Sequence, residues 1–246
     1  MRNFIPRFTT FTFLLILFSS SGSGSSGDTL AEFSNESKDS KIIELFTSEG
    51  CSSCPPAEKW MNQLSAHNQL WKNLFPVVFH VDYWDYLGWK DKLASPEYSE
   101  RQRNYVRKGR GKSVYTPGFF LNGKEWRSWF NDQNVFPEFP QTKGVLKAKV
   151  QQGGITVSYS GSSRNTILSL SIMQSGLFSV IKGGENAGKK LDQDFIVREF
   201  ITVTEWENDG FIPFRNKINS GEKMALVIWL TDEKTGDLIQ VTGGEI

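Results

Sequence analysis

Apolar side chains recur at two different spacings in the first half of the chain. The run at 42–46 is almost continuously apolar and predicts a buried strand, whereas the apolar residues within 57–64 fall on one face of a helix. A second apolar run, at 75–83, predicts another buried strand that runs parallel to the first. A strand, a helix and a parallel strand in this order form one βαβ unit.

Proline and glycine mark the elements that follow. The Ser-Pro pair at 95–96 is typical of a helix start, and we predict a helix over 96–108. The stretch 114–123 places Thr-Pro ahead of an apolar strand and ends on Asn122-Gly123, a dipeptide that favours a hairpin turn. We therefore expect a short hairpin after the second helix.

From residue 145 onward the pattern changes to short apolar runs separated by Gly, Ser, Asn and Asp. This spacing is typical of an antiparallel sandwich. The predicted strands lie at 155–159, 167–173, 177–181, 195–203, 224–230 and 238–241. We interpret the aromatic and proline-rich stretch 126–140 as the connection between the two halves.

The first 27 residues are typical of a secretory signal peptide. Arg2 and Arg7 precede an apolar run at 11–18 and a Ser/Gly tract. That run is shorter than the about 20 apolar residues that span a bilayer. We expect an exported protein, periplasmic or secreted, with no stable membrane insertion after leader cleavage; an uncleaved anchor is the alternative.

Charge excludes one class of partner. The chain has 28 basic and 27 acidic residues, and loss of Arg2 and Arg7 with the leader leaves 26 basic residues. This near-neutral balance gives no electrostatic reason to expect nucleic-acid binding. The basic run at 101–112 is interpreted as a solvated helix face, with an anion or acidic-partner site as the alternative.

The chain's two cysteines, Cys51 and Cys54, stand at C-x-x-C spacing between the first predicted strand and helix. A strand that delivers such a pair to a helix start is the arrangement of thioredoxin-like redox proteins. The helix dipole places partial positive charge there, which favours a thiolate. We predict Cys51 as the more exposed nucleophile and Cys54 as the resolving thiol, with no cofactor and with a protein or small-molecule thiol or disulfide as substrate.

Three other interpretations of the cysteine pair remain open. Zinc needs four ligands, and the spacing of His67 and His80 does not fit the usual histidine pair. Copper or another soft metal could use both sulfurs and His80. A purely structural disulfide would close a very short loop and restrict the unfolded chain little.

Three residues are candidates for a proton relay. Glu44 interrupts the first apolar strand; it either lies beneath the dithiol and takes the proton from Cys54, or faces solvent at a strand edge. His80 and Asp82 come at the end of the second strand, where open α/β sheets place their ligands. Either could move protons, although a lone histidine on a strand is more often a core residue.

A substrate groove is predicted beside the cysteines. Trp84 and Asp85 belong to an aromatic and acidic cluster that forms one wall of the groove or, alternatively, a plug over the sheet whose acids cap the next helix. Pro117 heads a strand, where thioredoxin-like folds keep a cis-proline. If the Thr116–Pro117 bond is cis, Pro117 would face Cys51, and the Thr116 backbone could pair with an extended substrate.

Four sequence stretches resemble a bacterial family of secreted thioredoxin-like proteins that is catalogued as a domain of unknown function. They are ELFTSEGCSSCPPAEKW, FHVDYWDYLGWKDKLASPEYSERQRNYV, SVYTPGFFLNG and GGENAGKKL. The resemblance covers about 41–197 and implies a thioredoxin-like part followed by a β-rich part, but no activity. The positions that match the family are Cys51, Cys54, Glu44, His80, Asp82, Trp84, Asp85, Pro117, Glu185 and Asn186.

These observations predict an α/β thioredoxin-like N-terminal domain followed by an all-β, sandwich-like C-terminal domain. The expected boundaries are a signal peptide at 1–27, a flexible lead-in at 28–40, the thioredoxin-like domain with a helical insert at 41–144 and the β-rich domain at 145–246. The leading functional hypothesis is a thiol–disulfide oxidoreductase. The alternatives are a metal-handling or redox-sensing module, and a partner-binding protein.

Overall fold

The computed structural model describes residues 29–133, 135–215, 218 and 221–246. The predicted signal peptide therefore lies outside the described residues. Two α-helices are present in the described part of the chain, α1 (Pro55–Gln63) and α2 (Pro96–Arg107). Both begin at a proline, and the Ser95 hydroxyl accepts the α2 cap hydrogen bond from the Glu97 amide at 3.3 Å.

Strands make up most of the regular structure. In chain order they are β1 (Thr29–Asn35), β2 (Lys41–Thr47), β3 (Leu74–His80), β4 (Gly118–Leu121), β5 (Lys124–Glu125), β6 (Leu146–Gln151), β7 (Gly154–Tyr159), β8 (Thr166–Ser175), β9 (Leu177–Val180), β10 (Lys190–Gln193), β11 (Ile196–Val203), β12 (Asp209–Pro213), β13 (Lys223–Asp232) and β14 (Leu238–Glu245). The β2, α1 and β3 elements confirm the predicted βαβ order, and Asn122-Gly123 forms the turn between β4 and β5.

The predicted fold class is wrong. The chain is 42% strand and 15% helix and is built from several sheets, so it is a β-rich protein and not an α/β thioredoxin fold. One eight-stranded sheet has the order β14-β13-β8-β11-β3-β2-β4-β5 and draws strands from both halves of the chain. The joint is β11, which pairs antiparallel with β8 from Ile196 onward, while Ile196 also pairs in parallel with Val78 of β3.

A four-stranded sheet with the order β1-β6-β7-β12 packs on the second half of the large sheet. Alternate residues of β6 are buried, and together with Leu168, Leu226 and Ile228 they form one apolar core. Residues 29–35, which fall within the predicted flexible lead-in, form β1 and pair with β6. The lead-in is corrected accordingly, because backbone pairing holds this polar segment in the sheet.

The core of the first half lies on both faces of β2 and β3. All seven residues of β3 are buried, as expected for a parallel strand that is covered on two sides. The α1 helix covers one face with Ala57 and Met61, while α2 lies against the other face. This two-sided covering decides which polar side chains of β2 and β3 face the cysteines.

Candidate functional site

The cysteines form a disulfide in the turn between β2 and α1. Their Cα atoms are 5.4 Å apart, and Cys54 is the N-cap residue of α1. The Cys54 amide donates to the Cys51 carbonyl at 3.2 Å, which closes the turn. Because Pro55 and Pro56 have no N–H, the positive end of α1 acts on the sulfurs through its dipole and not through amides of those residues.

Both cysteines are buried, with exposed fractions of 1% for Cys51 and 0% for Cys54. Cys51, which is predicted as the more exposed member, is thus nearly as buried as Cys54. The Cys51 sulfur lies 3.4 Å from the Ser53 hydroxyl. A bulky disulfide substrate can reach Cys51 only after the covering segments move.

A covering loop spans 183–189, between β9 and β10, and we call it the Gly-Glu-Asn loop. The Asn186 amide nitrogen donates to the backbone oxygens of Glu49 at 2.8 Å and of Cys51 at 2.9 Å. The Ser52 amide donates to the Glu185 carboxylate at 3.2 Å, and hydrogen bonds from the Ser52 hydroxyl and amide lower the pKa of Glu185. The loop thus holds both sides of the cysteine turn.

The Gly-Glu-Asn loop also packs tightly against the segment that follows β3. A Cβ atom at Gly183 would lie 2.5 Å from the Gly88 carbonyl oxygen, so only glycine fits there without a shift. The Asn186 side chain is fully buried, and its oxygen accepts from the Lys189 ammonium at 2.8 Å. The loop is therefore a packed part of the site.

Replacing Asn186 with alanine should expose the disulfide. The change removes two donors from buried carbonyl oxygens, which costs about 1–3 kcal/mol and loosens the loop. We expect a phosphine to reduce the disulfide about tenfold faster, and titration of the released thiols measures this rate. Asn131→Ala, at an exposed position, is the control and should leave the rate unchanged. An unchanged rate in Asn186→Ala would show that the loop does not limit access.

A buried ionisable network lies under the cysteine turn, on the α1 side of the sheet. The Thr47 hydroxyl donates to Glu58 Oε1 at 2.6 Å, and Thr47 is the register partner of His80. Burial raises the pKa of Glu58, with partial compensation from the His80 charge and the Thr47 hydrogen bond. Within the described part of the chain, Glu58 Oε2 and His80 Nε2 are buried and have no hydrogen-bond partner.

His80 is held as a cation by Asp91. Their side chains meet at 2.7 Å between Nδ1 and Oδ2, and both are fully buried. Burial lowers the pKa of His80, but the charge and hydrogen bond of Asp91 outweigh it and raise the pKa to about 9. For Asp91 the signs are reversed. Burial raises its pKa, but the His80 cation and the backbone hydrogen bonds outweigh burial and hold the pKa below its ordinary value.

Asp91 and Glu49 connect this network to the cysteine turn. Asp91 Oδ2 accepts from the Glu49 amide at 2.9 Å, two residues before Cys51. The Glu49 carboxylate accepts from the Trp89 indole at 2.7 Å and from the Gln193 amide at 3.1 Å. The network therefore spans β2, α1, β3, the segment after β3, and β10.

Of the predicted groove residues, Trp84 lies beside the cysteine turn and Thr116, whereas Asp85 contacts the backbone of Asp91. The Trp84 indole donates to the Thr116 hydroxyl at 2.7 Å, and a Cβ atom at Gly50 would lie 3.2 Å from the Trp84 Cβ. Trp84 thus lies between the residue before Cys51 and the Thr116–Pro117 peptide, which is cis. Asp85 instead accepts from the Asp91 amide at 3.1 Å, and burial raises its pKa.

Two predicted relay residues are not part of the network. Glu44 lies on the α2 side of the sheet and accepts from Arg101 at 2.7 Å and from Tyr105 at 2.6 Å. This corrects both interpretations of Glu44, because side chains alternate along β2 and it is Thr47 that faces α1. Asp82 accepts from the Ser99 hydroxyl of α2 at 2.5 Å. His80 alone of the three reaches the network.

Glu58, Asp91 and Glu49 were missed in the sequence. The sequence pattern does indicate that Glu58 is buried, because it shares the spacing of one helix face with Cys54, Ala57 and Met61. An acid on that face is buried with its neighbours. Asp91 and Glu49 lie in irregular segments, where no periodicity identifies the buried side.

Metal binding is an alternative role for the cysteines. Among the residues that the structure describes, no group of three or more His, Cys, Asp or Glu side chains is arranged to hold a metal ion. In the same residues, no helix is long and apolar enough to cross a membrane.

The fold and site define a β-rich protein with a buried disulfide turn over an ionisable network. The chain belongs to the family described as "Protein of unknown function (DUF1223)", whose model matches residues 42–231. No curated protein matches the chain significantly.

Two solved structures are similar to this chain. The first is a structural-genomics crystal structure of an Agrobacterium tumefaciens protein, with 23% identity, a TM-score of 0.56 and coverage of 86% of this chain and 95% of that one. The second is HBP35 of Porphyromonas gingivalis, with 12% identity, a TM-score of 0.54 and coverage of 86% and 76%. At these identities the likeness concerns the fold alone.

Proposed function

We propose that this chain is an exported thiol–disulfide oxidoreductase that uses Cys51 and Cys54. The observation that carries the proposal is the disulfide at the start of α1, one helical turn from Glu58 and connected through the Glu49 amide to the buried His80–Asp91 pair. A purely structural disulfide does not need ionisable groups beneath it, and burying them is costly. The expectation of export rests on the apolar leader sequence.

The reaction balances as two successive exchanges. In the reduced protein the Cys51 thiolate attacks one sulfur of a substrate disulfide, and the other substrate sulfur leaves as a thiolate. The Cys54 sulfur, after losing its proton, then attacks Cys51 and releases the second substrate thiolate. Two electrons pass from the dithiol to the substrate, and the Cys51–Cys54 disulfide remains; the reverse sequence oxidises a substrate dithiol.

Cys54→Ala should trap the first step. This variant lacks the resolving thiol, so incubation with glutathione disulfide should leave one glutathione on Cys51, seen by intact-mass spectrometry. Because the positive end of α1 favours the Cys51 thiolate, the rate of adduct formation in folded Cys54→Ala should level off at a lower pH than in the same variant unfolded in urea, whatever the covering loop does to the absolute rate.

Cys51→Ala supplies the matched control, since it keeps a single cysteine at the buried position. We expect little adduct from Cys51→Ala while it is folded. If adduct formation has the same pH profile in folded and unfolded Cys54→Ala, the oxidoreductase proposal is wrong.

A further inference from the structure

Cys54 and Glu58 lie one turn apart on the same face of α1. The Glu58 amide donates to the Cys54 carbonyl at 3.1 Å, and residues four apart on a helix are neighbours. Cys54 has an exposed fraction of 0% and Glu58 of 4%. Bulk water therefore has little access to either side chain, and a proton leaving Cys54 needs an acceptor within the protein.

Glu58 has one oxygen free for that purpose. Oε1 accepts from Thr47, whereas Oε2 is buried and, among the described residues, lacks a hydrogen-bond partner. A buried carboxyl oxygen without a partner carries a free-energy cost, which native structures rarely retain without a functional reason. In the sequence, by contrast, Glu44 was the candidate for this role.

The groups that face Glu58 come from every element around it. His80 of β3 carries a positive charge, and Asp91 and Glu49 carry acidic groups that partly offset it. Toward solvent, a cleft of about 270 Å³ between α1 and β10 is lined by Glu58 together with Lys59, Lys190 and Asp192. Burial raises the pKa of Glu58 and the His80 charge offsets part of that shift, so the Glu58 carboxylate is a stronger base than an ordinary glutamate.

We propose that Glu58 accepts the proton of Cys54 during the resolving step, a role that rests on the oxidoreductase function proposed above. The Cys54 S–H bond breaks, its proton moves to Glu58 Oε2, and the electron pair stays on the Cys54 sulfur. That sulfur attacks Cys51, the bond from Cys51 to the substrate sulfur breaks, and the substrate leaves as a thiolate. In the opposite direction the Glu58 carboxyl returns the proton to Cys54. The His80–Asp91 pair stays charged and positions Glu58 electrostatically.

The test separates the two steps in the reduced protein with glutathione disulfide. Step one is adduct formation at Cys51 and step two is release of the second glutathione, both followed by rapid quench and mass spectrometry. Glu58→Gln keeps the shape and the acceptor for Thr47 but cannot take a proton. Loss of a general base costs about 10²-fold, so step two should slow by that factor at pH 7 while step one stays unchanged.

The pH profile distinguishes proton transfer from a structural role. In the wild type, step two should rise as Glu58 loses its proton and level off well below pH 8.5, the ordinary thiol value. In Glu58→Gln it should keep rising about tenfold per pH unit toward the thiol value, because only the pre-formed thiolate reacts. Glu58→Asp should restore part of the rate.

Several outcomes would overturn the role of Glu58. They are an unchanged step two in Glu58→Gln, an equal loss in both steps, and a wild-type step two that already rises tenfold per unit up to pH 8.5. The last measurement decides the question even if Glu58→Gln does not fold. Absence of step one in the wild type would instead contradict the oxidoreductase function itself, so the two failures are distinguishable.

Discussion

Replacing Arg101 with methionine should lower the free energy of unfolding by about 3–5 kcal/mol. Its guanidinium is 2.7 Å from the fully buried Glu44 carboxylate. Removing the cation leaves that carboxylate buried with Tyr105 as its remaining hydrogen-bond donor. Urea unfolding followed by tryptophan fluorescence measures the loss.

Packing around Arg101 adds to this effect. The guanidinium carbon lies 5.3 Å or less from the ring centres of Phe79, Tyr105, Phe200 and Trp229, which belong to β3, α2, β11 and β13. Cation–π contacts of this kind contribute about 0.5–2 kcal/mol. Arg101 thus joins the two halves of the large sheet, and its loss should weaken them together.

Two further variants make the Arg101 prediction specific. The double variant Arg101→Met with Glu44→Gln removes both charges and should regain a large part of the lost stability. Arg103→Met is the matched control, because the Arg103 side chain is 43% exposed and its 3.8 Å contact with Glu100 is an exposed ion pair. We expect it to cost less than about 1 kcal/mol. A loss in Arg101→Met as small as in the control would contradict the prediction.

Replacing Asp91 with asparagine should destabilise the fold by a similar amount, about 3–5 kcal/mol near pH 5. The variant leaves His80 buried without its anionic partner. In asparagine an NH₂ donor replaces one of the two carboxylate oxygens. At the Oδ2 position this donor would meet His80 and the Glu49 amide, and at the Oδ1 position it would meet the Leu93 amide. Asp192→Asn, at a side chain that is 74% exposed, is the control and should change stability little.

The pH dependence follows from the two pKa shifts. The folded-state pKa of His80, about 9, lies above its ordinary value of 6.5. The stability that the His80 charge contributes is therefore fully present below pH 6.5 and is lost as pH rises through 9. The pKa of Asp91 is lowered from 3.8, so its contribution is present above pH 3.8 and is lost in stronger acid. The destabilisation in Asp91→Asn should therefore be large at pH 5 and smaller at pH 10. An equal loss at both values would mean that the ion pair is not its cause.

Local elements could be predicted well from the sequence. The proline pair at 55–56 and the Ser-Pro pair at 95–96 mark where α1 and α2 begin, and Asn122-Gly123 forms the predicted turn. Strands β2, β3, β8 and β13 follow apolar runs in the sequence. These predictions depend on contacts between residues that are close in the chain, where periodicity and backbone preference act directly.

Sheet membership could not be predicted in the same way. The pairing of Ile196 with Val78 joins residues that are far apart in the chain, and it is this contact that merges the expected domains into one sheet. Backbone hydrogen bonds are common to all sequences, so an apolar strand does not specify its distant partner. The same reason explains β1, whose polar sequence gave no indication of a strand.

The cysteine turn shows both kinds of information together. The sequence alone shows the spacing of Cys51 and Cys54, their place between a strand and a helix, and the run of apolar residues on α1. Contacts between distant segments turn Thr47 and His80 toward α1 and Glu44 toward α2, and they hold the Gly-Glu-Asn loop against the cysteine turn. The alternation of side chains along a strand is a local property, but which helix or loop covers each face depends on contacts between distant segments.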